Sequence, residues 1–299
     1  MRILITGGTG FVGRLLTTRL HERGHELLVV SRNPDRARDA LPPRTDVRAN
    51  ALDFADVEPE AVINLAGESI AEGRWTEAKK RRLMSSRLEA TQAVVDLCAQ
   101  AKTPPRVLIS ASAMGYYGDQ GDAEVTEETP PNPEFVHELC ARWEETAQQA
   151  EAYGVRVARM RIGLVLDRDG GTLAKLLTPF KLGLGGPLGD GSQYMPWVHR
   201  ADLVRIILFL LDHPELSGAF NASAPEPVTN AEFTRTLARH LKRPAFLPAP
   251  APVLRLAFGE MSRILLTGAR MRPKHLLDAG FTFEYPTLEE ALKEILHRS

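Results

Sequence analysis

Short apolar runs alternate with stretches of helical periodicity through the first half of the chain. This alternation is typical of a parallel sheet whose strands are joined by crossover helices. The run 61–66 is nearly all apolar, so we expect that strand to be buried on both faces. The predicted strands are 2–6, 26–31, 46–50, 61–66, 106–112 and 155–166, with helices over 13–23, 76–102 and 135–153.

The pattern changes after residue 166. Residues 167–200 are rich in glycine and proline, whereas 225–299 has mostly helical periodicity. Between them lies an apolar stretch, 203–211, interrupted by one arginine. It is too short to span a bilayer, so we predict a helix that packs back on the first half of the chain.

These patterns predict an α/β fold with a doubly wound parallel sheet of the Rossmann type and a small C-terminal α/β lobe. Residues 1–166 are expected to form the nucleotide-binding core, with 200–225 packing back on it. Residues 167–299 are expected to form the lobe that covers the substrate. In such sheets ligands bind at the carboxyl ends of the strands.

Composition narrows the range of partners. The chain has 299 residues, a net charge of −1 and 43% hydrophobic residues, which suffices for a large core. With no strong overall charge, we expect neither nucleic acid nor a membrane as a partner. The two cysteines have no metal-binding spacing, so no metal is predicted. The N-terminus has no signal-peptide pattern, and we expect a cytoplasmic protein whose oligomeric state stays open.

A glycine motif follows the first predicted strand and precedes a helix. Gly7 permits a tight turn, Gly10 lets a pyrophosphate approach the backbone, and Gly13 lets the helix pack close to the strand. The helix N-terminus then offers free N–H groups to the phosphates. The loop reads Gly7-Gly8-Thr9-Gly10-Phe11-Val12-Gly13, and all of these residues except Gly8 are predicted cofactor contacts.

The end of the second strand indicates which dinucleotide binds. An NAD site places an acidic residue there to bind the ribose hydroxyls. This chain has Ser31 and Arg32 instead, followed by Arg36. Because a guanidinium pairs with a 2′-phosphate and a carboxylate repels it, we predict NADP(H). Asp53, after the third strand, is either a boundary of the adenine pocket or a plain turn aspartate.

Several motifs resemble the extended short-chain dehydrogenase/reductases, the sugar-nucleotide epimerase superfamily, and within it an atypical YfcH-like branch. The glycine loop carries the first resemblance. The motifs that resemble the branch are Ile63-Asn64-Leu65-Ala66-Gly67-Glu68, Trp75, Ser86-Arg87, 110–118, 180–189, Pro196-Trp197-Val198-His199 and Asn230-Ala231-Glu232-Phe233. The C-terminal region 245–299 resembles a small DUF1731-type domain, so the resemblance covers essentially the whole chain.

The resemblance implies further cofactor contacts. Ser31 and Arg32 would hold the 2′-phosphate, and Leu65 and Ala66, at the end of the fourth strand, would lie along the adenosine and ribose. Arginines of the following helix would face the phosphates or ribose, and the end of the sixth strand, including Gly163, would lie near the nicotinamide. The implied contacts are Leu65, Ala66, Gly67, Arg82, Arg87, Ser110 and Val165.

The catalytic residues of typical members are incomplete here. Such proteins use a serine that binds the substrate oxygen, with a tyrosine and a lysine four residues apart on one helix. Ser112 matches the serine. Alignment on Glu144 places Val136 at the tyrosine position and Cys140 at the lysine position, and a one-residue shift places Phe135 and Leu139 there, so neither register supplies the pair. Proton transfer by the usual Tyr-Lys pair is therefore excluded.

Other residues are candidates for the missing groups. Tyr116 or Tyr117 could donate a proton from the loop after the fifth strand, Cys140 could act as a thiol acid, and His199 could serve as an acid. Each has a purely structural alternative. Weaker pocket candidates are Lys175, Gln193 and Arg272.

Two classes of function remain open. The first is an NADP(H)-dependent oxidoreductase or epimerase-like enzyme acting on a small polar or nucleotide-linked carbonyl or alcohol. The second is an NADP(H)-sensing protein that regulates a partner without chemistry.

Overall fold

The structure, a computed structural model, describes residues 1–297. Its strands are β1 Arg2–Thr6, β2 Glu26–Val30, β3 Asp46–Arg48, β4 Ala61–Asn64, β5 Val107–Ala113, β6 Glu124–Val125, β7 Arg156–Ile162, β8 Leu164–Asp167, β9 Tyr194–Met195, β10 Trp197–His199, β11 Gly218–Ala222, β12 Val228–Thr229 and β13 Arg270–Met271. Its α-helices are α1 Phe11–Glu22, α2 Pro34–Arg38, α3 Glu77–Gln100, α4 Phe135–Gln148, α5 Gly171–Lys181, α6 Arg200–Asp212, α7 Asn230–Leu241, α8 Ala251–Phe258, α9 Arg263–Leu266, α10 Lys274–Asp278 and α11 Leu288–His297.

The central sheet has seven strands in the order β11-β7-β5-β4-β1-β2-β3, and every neighbouring pair is parallel. From β1 the chain winds outward through β2 and β3, then returns to β4 and winds the other way. This reversal confirms the predicted doubly wound α/β fold. It also opens a crevice at the carboxyl ends of β1 and β4.

Alternate residues of one strand enter different cores. Ile3 and Ile5 of β1 pack in the cluster that contains α1 and α6, whereas Leu4 packs in the cluster with α3 and the end of α4. Because successive side chains of a strand point to opposite faces, helices must cover both sides of this sheet. All three β1 side chains are fully buried, as expected for such a strand.

A third cluster forms the core of the C-terminal lobe. It joins α5, α7 and α11 around Trp197 and Phe233. The lobe is interleaved with the core along the chain, because Leu203 of α6 and Phe220 of β11 pack against the central sheet, as does Leu276 of α10. The last two residues of the predicted lobe lie outside the described residues.

Two predicted elements were wrong in their extent. The predicted strand 155–166 divides at Gly163, where β7 ends and β8 leaves the sheet to pair with β10. A Cβ at Gly163 would lie 2.6 Å from the Pro196 oxygen, so the backbones approach closely at this break. The helix predicted over 135–153 ends as an α-helix at Gln148 and continues as a 3₁₀-helix to Tyr153.

Strand β11 is absent from the sequence-based prediction. Its residues, Gly-Ala-Phe-Asn-Ala, contain no β-branched side chain, so local propensity gives little indication of a strand. Pairing with β7 over five residues provides the stabilisation that propensity does not.

Candidate functional site

The glycine loop lies where β1 and β4 end. Its backbone is packed too closely for side chains at two positions. A Cβ on Gly13 would lie 2.2 Å from the Gly7 oxygen, and one on Gly7 would lie 2.8 Å from the Leu65 oxygen. Gly7 also has a φ of 71°, in the left-handed region. By contrast, a Cβ on Gly10 would meet only the Gly7 oxygen, at 3.1 Å, so the outer side of Gly10 is open to a ligand.

Helix α1 presents an uncapped N-terminus to this opening. Its N-cap residue is Gly10, which has no side chain to accept the first N–H groups, and its first turn has no acidic residue. The unsatisfied N–H groups and the helix dipole make a site for an anion. The side chain of Arg14 is held beside the loop by its Nε, which donates to the Thr9 oxygen at 2.9 Å.

The first residues of α1 are flanked by the turn that follows β8. Cβ atoms on Gly170 and Gly171 would lie 2.5 and 2.9 Å from the Phe11 ring, and one on Gly171 would lie 2.6 Å from the Val165 oxygen. Val165 is therefore brought next to the glycine loop, in which Val12 is partly buried. The Arg200 guanidinium lies 4.6 Å from the Phe11 ring centroid, and its buried Nε has no hydrogen-bond partner among residues 1–297.

At the end of β2, Arg32 is exposed and makes no hydrogen bond or ion pair with any of residues 1–297. Its neighbour Ser31 is half-buried and bonds to the backbone of Asn33 at 3.3 Å. Arg36 is also exposed, at the end of the short helix α2. Two cations thus follow β2, and no carboxylate in the described part of the chain forms an ion pair with either.

Asp53 has a local role. Its carboxylate accepts from the Asn50 N–H at 3.0 Å and completes a capping box on the 3₁₀-helix Ala51–Phe54. Of the two alternatives in the sequence, the turn aspartate is the one this geometry favours.

The segment after β4 borders the crevice. Leu65 contacts Gly7, and the Ala66 N–H donates to the Thr6 hydroxyl at 3.1 Å. Gly67 is exposed and lies against the Arg87 guanidinium, 3.2 Å from a Cβ at that position.

Arg87 is buried and makes no ion pair among residues 1–297. Its guanidinium donates to the backbone oxygens of Leu83 and Glu68, at 3.0 Å each, and lies over the Trp143 ring. Burial lowers its pKa. Arg82, in contrast, is exposed and lies 3.6 Å from the Glu68 carboxylate.

The Glu68 carboxylate is also bonded to the buried Lys79 at 2.6 Å, and this bond lowers the pKa of Glu68. Sequence reasoning missed Lys79, which reads as part of an exposed basic run.

Ser110 lies below the crevice rather than in it. It is buried and accepts from the Asn64 amide at 3.2 Å. Asn64 also accepts from Thr6 and donates to Thr91, so these residues tie β1, β4, β5 and α3 together. Among residues 1–297, Ser110 forms no hydrogen bond with the glycine loop. Its position therefore fits a role in holding the strands together better than the predicted contact with the cofactor.

Ser112 belongs to a buried ionic network. Its hydroxyl donates to Glu144 at 2.7 Å, and Arg161 forms two hydrogen bonds with the same carboxylate, at 2.9 and 3.1 Å. Arg159 adds a contact at 3.3 Å. A buried ion pair stabilises a fold only where hydrogen bonds also satisfy its charged groups. Here the hydrogen bonds from Ser112 and Arg161 satisfy the Glu144 carboxylate. Sequence analysis used Glu144 as an alignment anchor but missed Arg161, whose position inside a strand gave no indication of a charge pair.

The two adjacent tyrosines differ in environment. Tyr117 is fully buried, donates to Asn221 at 2.6 Å and accepts from Arg161 at 3.0 Å. Burial raises its pKa to about 12. Tyr116 is only half-buried, with its ring stacked 3.4 Å from the Arg161 guanidinium, and its hydroxyl has no hydrogen-bond partner among residues 1–297. Of the two, Tyr116 retains a hydroxyl that a substrate can use.

Cys140 and Val136 occupy the positions where the family pattern has lysine and tyrosine, and both are buried against Gly115. Burial raises the pKa of Cys140 to about 12, so the thiol stays protonated near neutral pH. A buried thiol of this kind is a small apolar side chain rather than a reactive group.

His199 is held by both ring nitrogens. Nδ1 accepts from the Ala201 N–H at 3.1 Å and caps α6, and Nε2 lies 3.0 Å from the Glu294 carboxylate. The ring also packs on Tyr285, at 4.0 Å between centroids. This buried residue joins α6 to α11, which does not favour a role as a mobile acid.

The weaker candidates are likewise engaged. Lys175 bonds to the Ala71 oxygen at 3.2 Å, Gln193 to the Leu188 and Leu265 oxygens, and Arg272 lies 3.5 Å from Glu124. No group of three or more His, Cys, Asp or Glu side chains that could hold a metal occurs among residues 1–297. No helix in that range is long and apolar enough to cross a membrane.

An uncapped helix behind a glycine loop at the reversal point of a parallel sheet defines a dinucleotide-binding protein of the Rossmann type. The model of the NAD dependent epimerase/dehydratase family matches residues 3–223, and that of the domain of unknown function DUF1731 matches residues 249–295. The chain belongs to this epimerase family.

Relatives and solved structures agree with this membership. The human "epimerase family protein SDR39U1" is 38% identical over 300 residues, which is 99% of this chain and 100% of that protein. A crystal structure of the human protein with NADPH has a TM-score of 0.89 at 36% identity and covers 100% of both chains. A nucleoside-diphosphate sugar epimerase from Corynebacterium glutamicum has a TM-score of 0.79 at 31% identity, covering 99% of this chain and 58% of that one.

Proposed function

We propose that this chain binds NADPH and acts as an oxidoreductase or epimerase-like enzyme on a small polar or nucleotide-linked carbonyl. The observation that carries the proposal is the unpaired Arg32 beside an uncapped, acid-free helix N-terminus. The NADPH in the human relative's structure and the name of the C. glutamicum protein support the cofactor and the substrate class respectively.

The residues present fit this cofactor. The N-terminus of α1 and the open side of Gly10 would hold the pyrophosphate, because a backbone without a Cβ leaves room for it. Ser31 and Arg32 would hold the 2′-phosphate, and Leu65 and Ala66 would lie along the ribose. Val165, beside Phe11, would lie toward the nicotinamide. When bound, NADPH supplies a hydride to the substrate carbon.

The chain itself must supply the proton and the orientation of the substrate. Tyr116 is our candidate proton donor, because its hydroxyl is unpartnered and half-exposed whereas Tyr117 is fully committed to its hydrogen bonds. Ser112 keeps lone pairs that can accept from a substrate, although its own proton points to Glu144. Its burial suggests that it positions Glu144 and the strand end more than it contacts substrate.

Calorimetric titration with NADPH and NADH tests the cofactor. We expect the wild-type chain to prefer NADPH, and Arg32→Glu to weaken NADPH binding by on the order of 100-fold, because a charge-assisted contact becomes a repulsion. Arg235→Glu, an exposed arginine on α7, should leave the affinity unchanged. Equal affinity of wild type and Arg32→Glu for NADPH would contradict the proposal.

Turnover is tested separately, by following NADPH absorbance against a library of carbonyl compounds and nucleotide sugars. A substrate that is reduced by wild type and reduced far more slowly by Tyr116→Phe would support the enzymatic part. Absence of turnover across the library, with NADPH bound, would count against it.

A sensing role is the second candidate. The observation that favours it is the replacement of the family's tyrosine and lysine positions by the buried Val136 and Cys140. In that case NADPH binding would change which proteins the chain retains. Affinity capture from cell extract with and without NADPH tests this, and an identical set of captured proteins would contradict it. We propose that either function takes place in the cytoplasm. Detection of the protein in the cytoplasmic fraction of the cells tests this location.

A further inference from the structure

The C-terminal lobe carries an apolar surface. Seven of the ten large apolar side chains exposed among residues 1–297 fall in two short segments. They are Leu182, Leu184, Phe246, Leu247, Val253, Leu256 and Phe258. We call the segments 181–184 and 242–258 together the apolar–basic surface.

The two segments are adjacent in space. The Leu247 N–H donates to the Gly185 oxygen at 3.3 Å. The Ala249 N–H donates to the Pro187 oxygen and its own oxygen accepts from the Gly189 N–H, both at 2.9 Å. A Cβ on Gly183 would also lie 3.6 Å from Pro244, so the start of the second segment adjoins the first, and α8 follows directly along the chain. Contiguous exposed apolar surfaces of this kind mark interaction sites in proteins that fold as monomers.

The charges on this surface all have one sign. Lys181, Lys242, Arg243 and Arg255 are exposed, and no aspartate or glutamate occurs in 181–184 or 242–258. None of the four cations forms an ion pair with any residue of the described chain. An occupant must therefore be both apolar and anionic.

The shape of the surface distinguishes among occupants. Leu256 is 79% exposed, Phe246 73% and Leu182 70%, so these side chains project outward instead of lining a groove. A helix or peptide docks into a groove, whose walls would lower such exposures. A second copy of the chain would bring four cations against four cations. Projecting apolar side chains among cations suit the interface of a lipid bilayer that carries anionic headgroups.

We propose that the apolar–basic surface binds peripherally to membranes containing anionic lipid. The leucines and phenylalanines would enter the headgroup boundary, and the four cations would contact the lipid phosphates and carboxylates. The proposal departs from the expectation, drawn from the net charge, that a membrane is not a partner, because four cations lie together on this one surface. The proposal is independent of the proposed catalytic function, since none of these residues borders the glycine loop.

Sedimentation of the whole chain with vesicles tests it. Vesicles of phosphatidylcholine mixed with phosphatidylserine should bind the chain, more weakly at high salt, and vesicles of phosphatidylcholine alone should not. The double variant Lys242→Glu/Arg243→Glu should lower the affinity by at least about 30-fold, since each cation contributes on the order of fivefold. Leu182→Asn/Leu256→Asn should lower it comparably.

The matched control is Leu277→Asn, a 38%-exposed leucine on α10 outside this surface, which should bind like wild type. NADPH affinity and the thermal unfolding midpoint show that each variant is folded. The proposal is overturned if no vesicle binds, or if vesicles without anionic lipid bind equally. It is also overturned if the surface instead captures an acidic helical peptide, or if the apolar variants abolish self-association in analytical ultracentrifugation.

Discussion

The glycine loop and the network after β5 both lie at the carboxyl edge of the sheet. They differ in whether their polar groups have hydrogen-bond partners. At the loop, the first N–H groups of α1 have no side-chain cap, and Arg32 has no partner among the described residues 1–297. After β5, Ser112, Glu144, Arg161 and Tyr117 satisfy one another. Unsatisfied groups are open to a ligand, whereas satisfied ones stabilise the fold.

This difference bears on function. A cofactor that brings phosphates can bind the loop without displacing internal bonds. A substrate that bound to the hydroxyl of Ser112 or Tyr117 would have to replace a hydrogen bond of the buried charged network. Breaking that bond would leave another buried group without a partner. The half-exposed Tyr116 is stacked on Arg161 at the edge of this network, and its hydroxyl takes no part in the network's hydrogen bonds.

The largest expected effect comes from breaking the buried network. Arg161→Leu removes the main partner of Glu144 and should lower the free energy of unfolding by about 3–5 kcal/mol, because it leaves a buried charge. Arg142→Ala breaks the exposed pair with Glu138 and should cost less than about 1 kcal/mol. Urea denaturation compares them. Equal losses would mean that the network does not stabilise the fold.

The loop should respond in two separable ways. Gly13→Ala places a Cβ 2.2 Å from the Gly7 oxygen and should lower the free energy of unfolding by about 1–3 kcal/mol, with loss of NADPH binding. Gly10→Ala meets one atom at 3.1 Å, and its backbone φ of −75° suits alanine. Gly10→Ala should therefore keep stability and still weaken NADPH, measured by calorimetry. If Gly10→Ala binds NADPH like wild type, the phosphates do not approach this face.

The adjacent residues Tyr116 and Tyr117 compare an unpartnered hydroxyl with a hydrogen-bonded one within a single 3₁₀-helix. Tyr117→Phe leaves Asn221 and Arg161 each with a lost partner and should cost about 1–3 kcal/mol. Tyr116→Phe removes an unpartnered hydroxyl and should change the free energy of unfolding by less than about 0.5 kcal/mol. Thermal or urea unfolding measures both. A larger loss for Tyr116→Phe would place its hydroxyl in the network.

The smallest effect at neutral pH concerns Cys140, whose pKa rises from 9.0 to about 12 on burial. A pKa raised by folding stabilises fully below pH 9 and loses that contribution as pH rises toward 12, because only the unfolded thiol ionises between these values. Cys140→Ala should reduce the fall in stability by about 1.4 kcal/mol per pH unit in that window. At pH 7 the thiol is protonated in both the folded and the unfolded chain, so its ionisation contributes nothing to the difference in stability between Cys140→Ala and wild type there. An unchanged pH slope would contradict the burial of this thiol.

Much of the architecture followed from local pattern. The strands 2–6, 61–66 and 106–112 were predicted nearly to their ends, because parallel strands buried on both faces are continuous apolar runs between turn residues. Strand β11 could not be predicted, since pairing with β7 holds residues of low strand propensity in place. The break at Gly163 could not be predicted either, because it depends on a backbone approach from Pro196, distant in sequence.

By itself, the sequence determined the doubly wound fold, the glycine loop and the basic end of β2, because each depends on residues adjacent along the chain. Only the tertiary structure decided which candidate side chains remain available. It buried Cys140, bonded His199 Nε2 to Glu294 and bonded the Ser112 hydroxyl to Glu144, and these two bonds join residues far apart in sequence. It also brought residues 181–184 beside 242–258, where apolar and basic side chains form one exposed surface. Availability depends on which distant partners the fold supplies, and no local pattern records them.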